Sequence, residues 1–337
     1  MRENLNEDWV VYQQGGIRDR ISEHGMDPDK IKDGVILGSG LGSFAETHMN
    51  SKNAGKPGGP IAISFEEIFE TLDVIPSGGG VEGHAKELLI GPIDNSDNLV
   101  IAQNGREHPY EGISLQRATF WLRVMQALGV KTMIGSNASG ILTPDTLAPP
   151  ALMLVSGDID CTGQNPLIGG NYEKHGPRFP HMADHYPAKT RKTIKEIAKE
   201  MGINLEEGIY ARMMGPNYER PEDVYLLRKN IDTLWEYGYG QRGEDRFFGD
   251  PVAVVGMSST YENMVMQHAT QSKERPAFEE GRAYISVATN YSASLGWDEI
   301  VAPSNHEEVQ EKAKVVQDNF GELVKATILS FMKNRKK

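Results

Sequence analysis

The side chains best suited to chemistry are concentrated in the segment NGREHPYEG, which covers Asn104–Gly112. Within six residues it holds Arg106, His108, Tyr110 and Glu111. In an extended chain Arg106, His108 and Tyr110 point to one face, because side chains alternate with a period of two. Arginine offers a planar fork for phosphate oxygens, and histidine offers a donor that a carboxylate such as Glu111 keeps oriented. The segment predicts an anion site, with a solvated loop carrying a salt bridge as the alternative.

A second candidate for anion binding is the stretch VILGSGLGSF at Val35–Phe44, in which Gly38, Gly40 and Gly42 surround Ser39. The apolar start reads as a buried strand, and successive backbone N–H groups in the turn after it can form a concavity for phosphate. The spacing is neither the G-x-G-x-x-G of dinucleotide sites nor the P-loop pattern. A purely structural strand-to-helix turn is the alternative.

Three further segments place polar groups after or near the end of an apolar run. They are GSNASGI at 135–141, VVGMSSTYE at 254–262 with the hydroxyl of Ser258, and SVATNYS at 286–292 with the amide of Asn290. Small residues let backbone donors reach an anion, and an amide can donate and accept toward a heterocycle. Plain turns are the alternative in each case.

The composition limits the possible partners. The 337 residues carry a formal net charge of −12, with 39% hydrophobic and 24% charged residues. Nucleic acids and membrane surfaces are anionic, so we expect neither as a partner and expect local donors to hold any anionic substrate. The single cysteine, Cys161, excludes an internal disulfide framework and suits a reducing compartment. No signal-peptide pattern or 18-residue apolar run is present, so we expect a cytoplasmic protein.

Short apolar strands alternate with amphipathic helices, which predicts one α/β domain with a mixed sheet covered on both faces. The predicted strands are Val35–Leu37, Leu88–Ile90, Leu99–Ala102, Thr132–Ile134, Ala151–Val155, Val252–Val255 and Tyr284–Ala288. The predicted helices are Ser114–Leu128, a stretch around Ile194–Met201, a stretch around Val224–Leu234, and a last helix that starts from a capping box of Ser304 and Glu307. Two polar stretches, Tyr237–Asp250 and Gln271–Arg282, are predicted surface loops. Ligands of such sheets gather at the carboxyl ends of strands.

Two other chemistries are disfavoured by the sequence. His181 and His185 have the i, i+4 spacing of zinc ligands, but the glutamate of H-E-x-x-H is absent, so we interpret them as structural and expect no metal site. No G-x-S-x-G occurs, which argues against a serine hydrolase.

Ten ordered blocks resemble those of trimeric purine nucleoside phosphorylases. They are VILGSGLG, EGHA, GREHPYEG, SNASG, GQNPL, RFPHMADHY, GPNYE, VGMSS, ATN and NHEEV. The resemblance runs from about Gly34 to the carboxyl terminus. It implies a single nucleoside phosphorylase domain over 1–337, with a mixed, partly barrel-like central sheet flanked by helices, a helical extension at 1–33, and a homotrimer with each site near a subunit boundary.

The resemblance also implies an activity and a set of site residues. In this family inorganic phosphate, the co-substrate, attacks the anomeric carbon of a purine nucleoside and gives ribose 1-phosphate and free base; no other cofactor is expected. The implied phosphate-binding residues are Ser39, His84, Arg106, His108, Ser258 and the backbone N–H of Ala138. The implied ribose contacts are Tyr110, Met257 and His306, and the implied purine contacts are Tyr218, Glu219 and Asn290. His108, Glu111 and Asn290 are the implied catalytic group.

The sequence departs from the family at the purine end. Cys161 stands where the family places an aromatic residue that reaches a neighbouring subunit, and Tyr218 replaces a phenylalanine. Glu219 and Asn290 favour 6-oxopurine nucleosides such as inosine and guanosine. A methylthioadenosine phosphorylase, another purine specificity such as xanthosine or adenosine, and a catalytically silent nucleoside- or phosphate-binding protein are the alternatives.

Overall fold

The computed structural model describes residues 7–49, 59–70, 85–94, 96, 98–236, 251–292 and 305–335. Its strands are β1 (Ile31–Leu37), β2 (Ile61–Ser64), β3 (Glu87–Pro92), β4 (Leu99–Asn104), β5 (Thr132–Ile141), β6 (Ala151–Asp160), β7 (Leu205–Arg212), β8 (Ala253–Gly256) and β9 (Gly281–Tyr291). Its α-helices are α1 (Glu7–Glu23), α2 (Ser43–His48), α3 (Phe65–Glu70), α4 (Leu115–Ala118), α5 (Phe120–Leu128), α6 (Ala188–Glu200), α7 (Pro221–Glu236), α8 (Thr260–Thr270) and α9 (His306–Arg335). No helix in these ranges is long and apolar enough to cross a bilayer.

One mixed sheet joins the described strands in the order β2-β3-β4-β1-β5-β8-β7-β6-β9, and β5 also pairs with β9. That extra pairing closes five strands into a ring, from which the other four extend as an open wing. Strand β5 belongs to both parts: it is parallel to β1 and β9 and antiparallel to β8. The predicted mixed, partly barrel-like sheet is confirmed.

Alternate residues of β1 enter two different cores, which shows that both faces of the sheet are covered. Ile36 belongs to a cluster that includes Trp121 of α5. Val35 and Leu37 belong to a second cluster that includes Phe320 of α9. A strand buried on both faces reads as a continuous apolar run, which is how the sequence presents it.

Several elements differ from the sequence prediction. The helix predicted over Ser114–Leu128 is two helices that break at Thr119, whose hydroxyl donates to the carbonyl oxygen of Leu115. Strands β2 and β7 were not predicted; β7 opens on one leucine and two glutamates that are all only partly buried, which hides the strand pattern. The last helix is capped by Asn305, whose Oδ1 accepts from the N–H of Glu308 at 2.8 Å.

The predicted surface loop Gln271–Arg282 is wrong in its second half. Ala277 and Phe278 are fully buried, and the N–H of Phe278 donates to the carbonyl oxygen of Val130 at 3.1 Å. Strand β9 begins at Gly281. The polar residues flanking this apolar anchor explain the mistaken prediction. The predicted loop Tyr237–Asp250 and the predicted cap Ser304 lie outside the described residues.

Candidate active site

A cavity of about 350 Å³ opens where the wing meets the ring. It is lined by residues that follow β1, β4 and β8, by the second half of β5, by the end of β9, and by the segment after β7. Ten of the predicted site residues line it: Ser39, Arg106, His108, Tyr110, Ala138, Tyr218, Glu219, Met257, Ser258 and Asn290. The structure therefore brings these ten residues together around one cavity.

The glycine turn after β1 is built for close packing, and only Ser39 of its residues lines the cavity in the described chain. A Cβ on Gly38 would lie 2.8 Å from the Cα of Asn137, and one on Gly40 would lie 2.7 Å from the Cβ of Ala313. The N–H of Gly38 donates to Ser136 Oγ at 3.0 Å. Gly38 and Gly40 therefore bring the turn against β5 and α9, which explains their lack of a side chain without any contact to an anion.

Arg106 is buried, with only 1% of its surface exposed, and its guanidinium is held by three contacts. Its Nε donates to Glu262 Oε1 at 3.0 Å, its Nη2 donates to the carbonyl oxygen of Ser136 at 2.7 Å, and its Nη1 lies 3.4 Å from Ser258 Oγ. Burial works against the charge, but the carboxylate of Glu262 raises the pKa of Arg106 above its ordinary value. The guanidinium is therefore a fixed positive charge at the cavity wall.

Glu262 is the residue that sequence reasoning missed. It is 1% exposed and lies in the first turn of α8, and its Oε2 accepts the hydroxyl of Tyr284 at 2.9 Å. The separation of 156 residues from Arg106 left no local pattern to detect. One sequence signal was available. Glu262 stands four residues after Ser258, in the first turn of the helix that follows a candidate anion-binding loop, so its carboxylate can lie at the helix end that the loop adjoins.

His108 and Glu111 form a buried pair beside Tyr110. The N–H of His108 donates to Glu111 Oε1 at 2.7 Å, its Nδ1 lies 3.4 Å from the same oxygen, and its ring stacks on that of Tyr110 with centroids 4.7 Å apart. Burial lowers the pKa of His108. Burial opposes the charge of Glu111, but hydrogen bonds from His108 and from Lys86 lower its pKa to about 2. The pair is thus a neutral imidazole oriented by a permanent carboxylate.

The loop after β8 presents Ser258 through an uncommon backbone conformation. Ser259, the residue that precedes α8, has φ +66° and ψ −50°, and its Oγ accepts from Asn137 Nδ2 at 2.8 Å. The N–H of Ser258 donates to the hydroxyl of Tyr210 at 3.1 Å. A positive φ at a residue with a side chain costs energy, so these bonds keep the loop in place.

The segment after β7 brings the predicted purine residues to the cavity. Gly215 has φ +72°, and a Cβ there would lie 2.5 Å from Met257 Sδ, so the absence of a side chain lets this segment pack on the cavity wall. Glu219 is 7% exposed, and its burial raises the pKa of its carboxyl. Tyr218 is 37% exposed.

Asn290 enters from the last strand with a fixed amide. A register shift between Ser139 and Gly140 places Asn290 opposite Gly140 in the pairing of β5 with β9. Its Oδ1 accepts from Thr289 Oγ1 and its Nδ2 donates to the carbonyl oxygen of Tyr291, both at 2.8 Å. These two bonds define which end of the amide is the donor.

Four other positions that the sequence singles out do not belong to the ten cavity-lining residues. His84 and the side chain of His306 lie outside the described residues, although α9 does start at His306. Glu111 acts on the cavity through its contacts with His108. Cys161 follows β6, is exposed, and donates its N–H to the carbonyl oxygen of Arg212 at 3.0 Å.

The two histidines with zinc-like spacing make other contacts. His185 Nε2 lies 3.1 Å from Asp158 Oδ1, and the N–H of His181 donates to Gln271 Oε1. In the part of the chain that the structure describes, no three His, Cys, Asp or Glu residues are arranged to hold a metal ion.

The chain is similar to several known proteins. The family model described as the phosphorylase superfamily matches residues 64–329. Purine nucleoside phosphorylase 1 of Bacillus subtilis is 34% identical over 304 residues, which cover 90% of this chain and 94% of the relative. The purine nucleoside phosphorylase of Mus musculus is 39% identical over 243 residues, which cover 68% of this chain and 78% of the relative.

Solved structures give the same result. The Schistosoma mansoni purine nucleoside phosphorylase in complex with adenosine has a TM-score of 0.73 to this chain at 26% identity, covering 96% of this chain and 97% of that one. Its complex with inosine has a TM-score of 0.72 at 25% identity, covering 96% of each chain.

Proposed function

Because this chain belongs to the purine nucleoside phosphorylase family of the phosphorylase superfamily, and is therefore a pentosyltransferase, we propose that its substrates are 6-oxopurine nucleosides and inorganic phosphate. The proposed nucleoside substrates are inosine, guanosine and their deoxy forms. The observation that carries this proposal is the shared cavity, in which a fixed arginine, a serine hydroxyl and an oriented histidine lie with a buried carboxyl group and a fixed amide.

The phosphate half of the proposal rests on Arg106 and His108. Arg106 supplies the charge, and Ser39, Ser258 and the N–H of Ala138 supply further donors, since all of them line the cavity. A Glu111 carboxylate that stays ionised favours the His108 tautomer with the proton on Nδ1. His108 Nε2 then accepts the P–OH of hydrogen phosphate, which would hold the anion and orient its nucleophilic oxygen.

The chemical step needs no covalent enzyme intermediate. A phosphate oxygen forms a bond to C1′ of the ribose while the bond from C1′ to N9 breaks, and the electron pair of that bond moves onto the purine. Negative charge therefore develops on the base, and the donor end of the Asn290 amide would stabilise it near N7 and O6. Phosphate, facing the positively charged sugar, stabilises the other half of the transition state.

The preference for 6-oxopurines rests on Glu219. An ionised carboxylate accepts the N1–H that inosine and guanosine carry, whereas adenosine has no hydrogen at N1. Burial raises the pKa of Glu219, and a protonated carboxyl could instead donate to N1 of adenosine. Adenosine is thus the second candidate substrate, and its use relative to inosine is expected to increase as the pH falls.

Two further expectations accompany the proposal. We expect a homotrimer, in which a neighbouring subunit lies close to each cavity. We also expect the enzyme to work in the cytoplasm, with inorganic phosphate as co-substrate and without a cofactor.

The test is to incubate the protein with inosine, guanosine, xanthosine, adenosine and methylthioadenosine, with and without phosphate, and to identify both products. Phosphate-dependent release of hypoxanthine or guanine together with ribose 1-phosphate is the expected result. Release of base without phosphate would indicate a hydrolase, and no release from any nucleoside would indicate a binding protein. Preferential cleavage of methylthioadenosine or adenosine at pH 7 would overturn the assigned specificity.

The matched variants are Arg106→Met and Arg220→Met. Arg106 lines the cavity, whereas Arg220 is exposed and paired with Asp223. We expect phosphorolysis to be lost only in Arg106→Met.

A further inference from the structure

A second cavity, of about 490 Å³, shares no lining residue with the first among the described residues. Its walls come from α1, from the region of α4 and α5, from α8, and from the segment that joins β6 to α6. Val10, Phe120 and Tyr172 are among its apolar lining residues, and Arg123, His175 and His268 are among its polar ones.

The electrostatic balance of this cavity is positive. The Glu7 carboxylate lies against two other groups: its Oε2 is 2.5 Å from His175 Nε2, and its Oε1 accepts from Arg275 Nη1 at 2.6 Å. Arg123 has no carboxylate within ion-pairing distance in the described chain, and its one hydrogen bond there is to Gln126 Oε1 at 3.3 Å. Burial lowers the pKa of Arg123 to about 9 although the charge of Glu7 opposes this shift, so the guanidinium is still charged at neutral pH.

The two histidines add hydrogen-bonding capacity but no charge. Burial, and then the nearby charge of Arg123, lower the pKa of His175 to about 3 and that of His268 to about 4. Both rings are therefore neutral at pH 7.

His268 presents an acceptor without a partner. Its Nε2 lies 3.0 Å from the carbonyl oxygen of Pro177, and because a carbonyl only accepts, Nε2 carries the proton. A Cβ on Gly176 would lie 2.8 Å from both Nε2 and Cδ2, which places that edge of the ring against the chain. The opposite edge holds Nδ1, a buried acceptor with no hydrogen-bond partner among the described residues, on a side chain that is 3% exposed and lines the cavity.

We propose that this cavity is a second binding site for hydrogen phosphate. The combination of a charged donor and an unprotonated acceptor requires a ligand that is an anion and also carries an O–H. At neutral pH inorganic phosphate has both: Arg123 can donate to its oxygens, and its P–OH can donate to His268 Nδ1 after a movement that uncovers this nitrogen, which is fully buried in the structure. Sulfate and carboxylates have no proton to donate, and a phosphate monoester loses its own above a pKa of about 6.

The site is independent of the catalytic cavity, so its occupancy can be measured separately. Equilibrium dialysis with radiolabelled inorganic phosphate at pH 7.5 is expected to give two phosphates per chain for the unmodified protein. Arg123→Met should weaken one of the two roughly ten- to hundred-fold, because charge-assisted hydrogen bonds contribute about 1.5–3 kcal/mol each. His268→Leu, which removes the acceptor and no charge, should weaken the same site. Sulfate should displace that phosphate poorly.

The outcomes distinguish this proposal from the proposed function. A stoichiometry of one that is lost in Arg106→Met and retained in Arg123→Met overturns the second site and leaves the function intact. Binding that responds to Arg123→Met but not to Arg106→Met supports the second site and counts against the catalytic assignment. Competition by sulfate as strong as by phosphate would refute the role of His268, as would binding of ribose 5-phosphate at pH 7.5 in preference to phosphate. The exposed variant Arg220→Met is the control.

Discussion

Replacing Glu262 with glutamine tests whether the fixed charge of Arg106 depends on its buried counter-charge. The substitution keeps the shape of a side chain that is 1% exposed and that accepts from Arg106 at 3.0 Å and from Tyr284 at 2.9 Å. It removes the negative charge and places an amide donor against groups that are themselves donors. The guanidinium of Arg106 keeps its bond to the carbonyl oxygen of Ser136 but becomes an uncompensated buried cation.

The expected loss of stability follows from that geometry. Removing one partner of a buried pair costs about 3–5 kcal/mol, and glutamine still offers one acceptor, so we expect about 3 kcal/mol. An entropy of unfolding of about 2.1 cal/mol/K per residue converts this value to a decrease in Tm of about 4 °C for a chain of this length. Phosphate would restore a counter-charge to Arg106, so it should raise the Tm of Glu262→Gln more than that of the unmodified protein.

The assay is thermal unfolding with and without phosphate, followed by steady-state kinetics. Glu279→Gln is the matched control, because Glu279 pairs with Lys131 at the surface and its removal should change stability by less than about 1 kcal/mol. If Glu262→Gln melts within about 1 °C of the unmodified protein, or if phosphate stabilises both proteins equally, the reasoning about Arg106 is refuted.

Three further predictions test other parts of the site. The low pKa of Glu111, about 2, contributes stability that is complete above its ordinary pKa and is lost as the pH falls from there toward 2. In denaturant titrations the free energy of unfolding of Glu111→Gln should therefore fall by about 2 kcal/mol less between pH 7 and pH 3 than that of the unmodified protein, and an equal fall in both proteins would contradict it. Asn290→Ala should lower kcat/KM for inosine roughly 10²- to 10³-fold, and an unchanged value in steady-state assays would remove it from catalysis. Gly38→Ala should destabilise the fold because its Cβ would meet the backbone of Asn137. Gly15→Ala has open space around it in α1, so it should raise the free energy of unfolding by roughly 0.5–1 kcal/mol, and thermal unfolding measures both variants.

The sequence located most of the cavity because its residues lie close to the strand ends. A buried parallel strand is a continuous apolar run, and the chain changes character sharply where the run stops. Ser39, Arg106 and Ser258 each stand two residues beyond the end of a strand in the structure. Each also follows a predicted strand by at most four residues, so the sequence alone could place them near strand ends. The closure of the ring was implied by the family resemblance and is confirmed by the pairing of β5 with β9.

What the sequence could not give depends on contacts between distant parts of the chain. The ion pair of Arg106 with Glu262 joins residues 156 positions apart, and the one local signal, the position of Glu262 four residues after Ser258, does not show that its partner is Arg106. The second cavity has the same origin, because Arg123 lies on the helix that was predicted simply as amphipathic, while Glu7 comes from the amino-terminal extension. The glycine turn was predicted to bind the ligand because glycines needed for close packing look the same in a sequence as glycines needed for a backbone that approaches a ligand.

Strand β5 explains why one edge of this sheet can support a site made from so many elements. Its Asn137 accepts the hydroxyl of Ser286 on β9 at 2.6 Å and donates to Ser259 in the loop that follows β8 at 2.8 Å. Its Ser136 accepts from Gly38 and, through its carbonyl oxygen, from Arg106. The phosphate donors are thus tied to one strand that belongs to both the wing and the ring. Because that strand pairs on both sides, a donor cannot shift without breaking a buried hydrogen bond, which is how the fold fixes these groups before a ligand arrives.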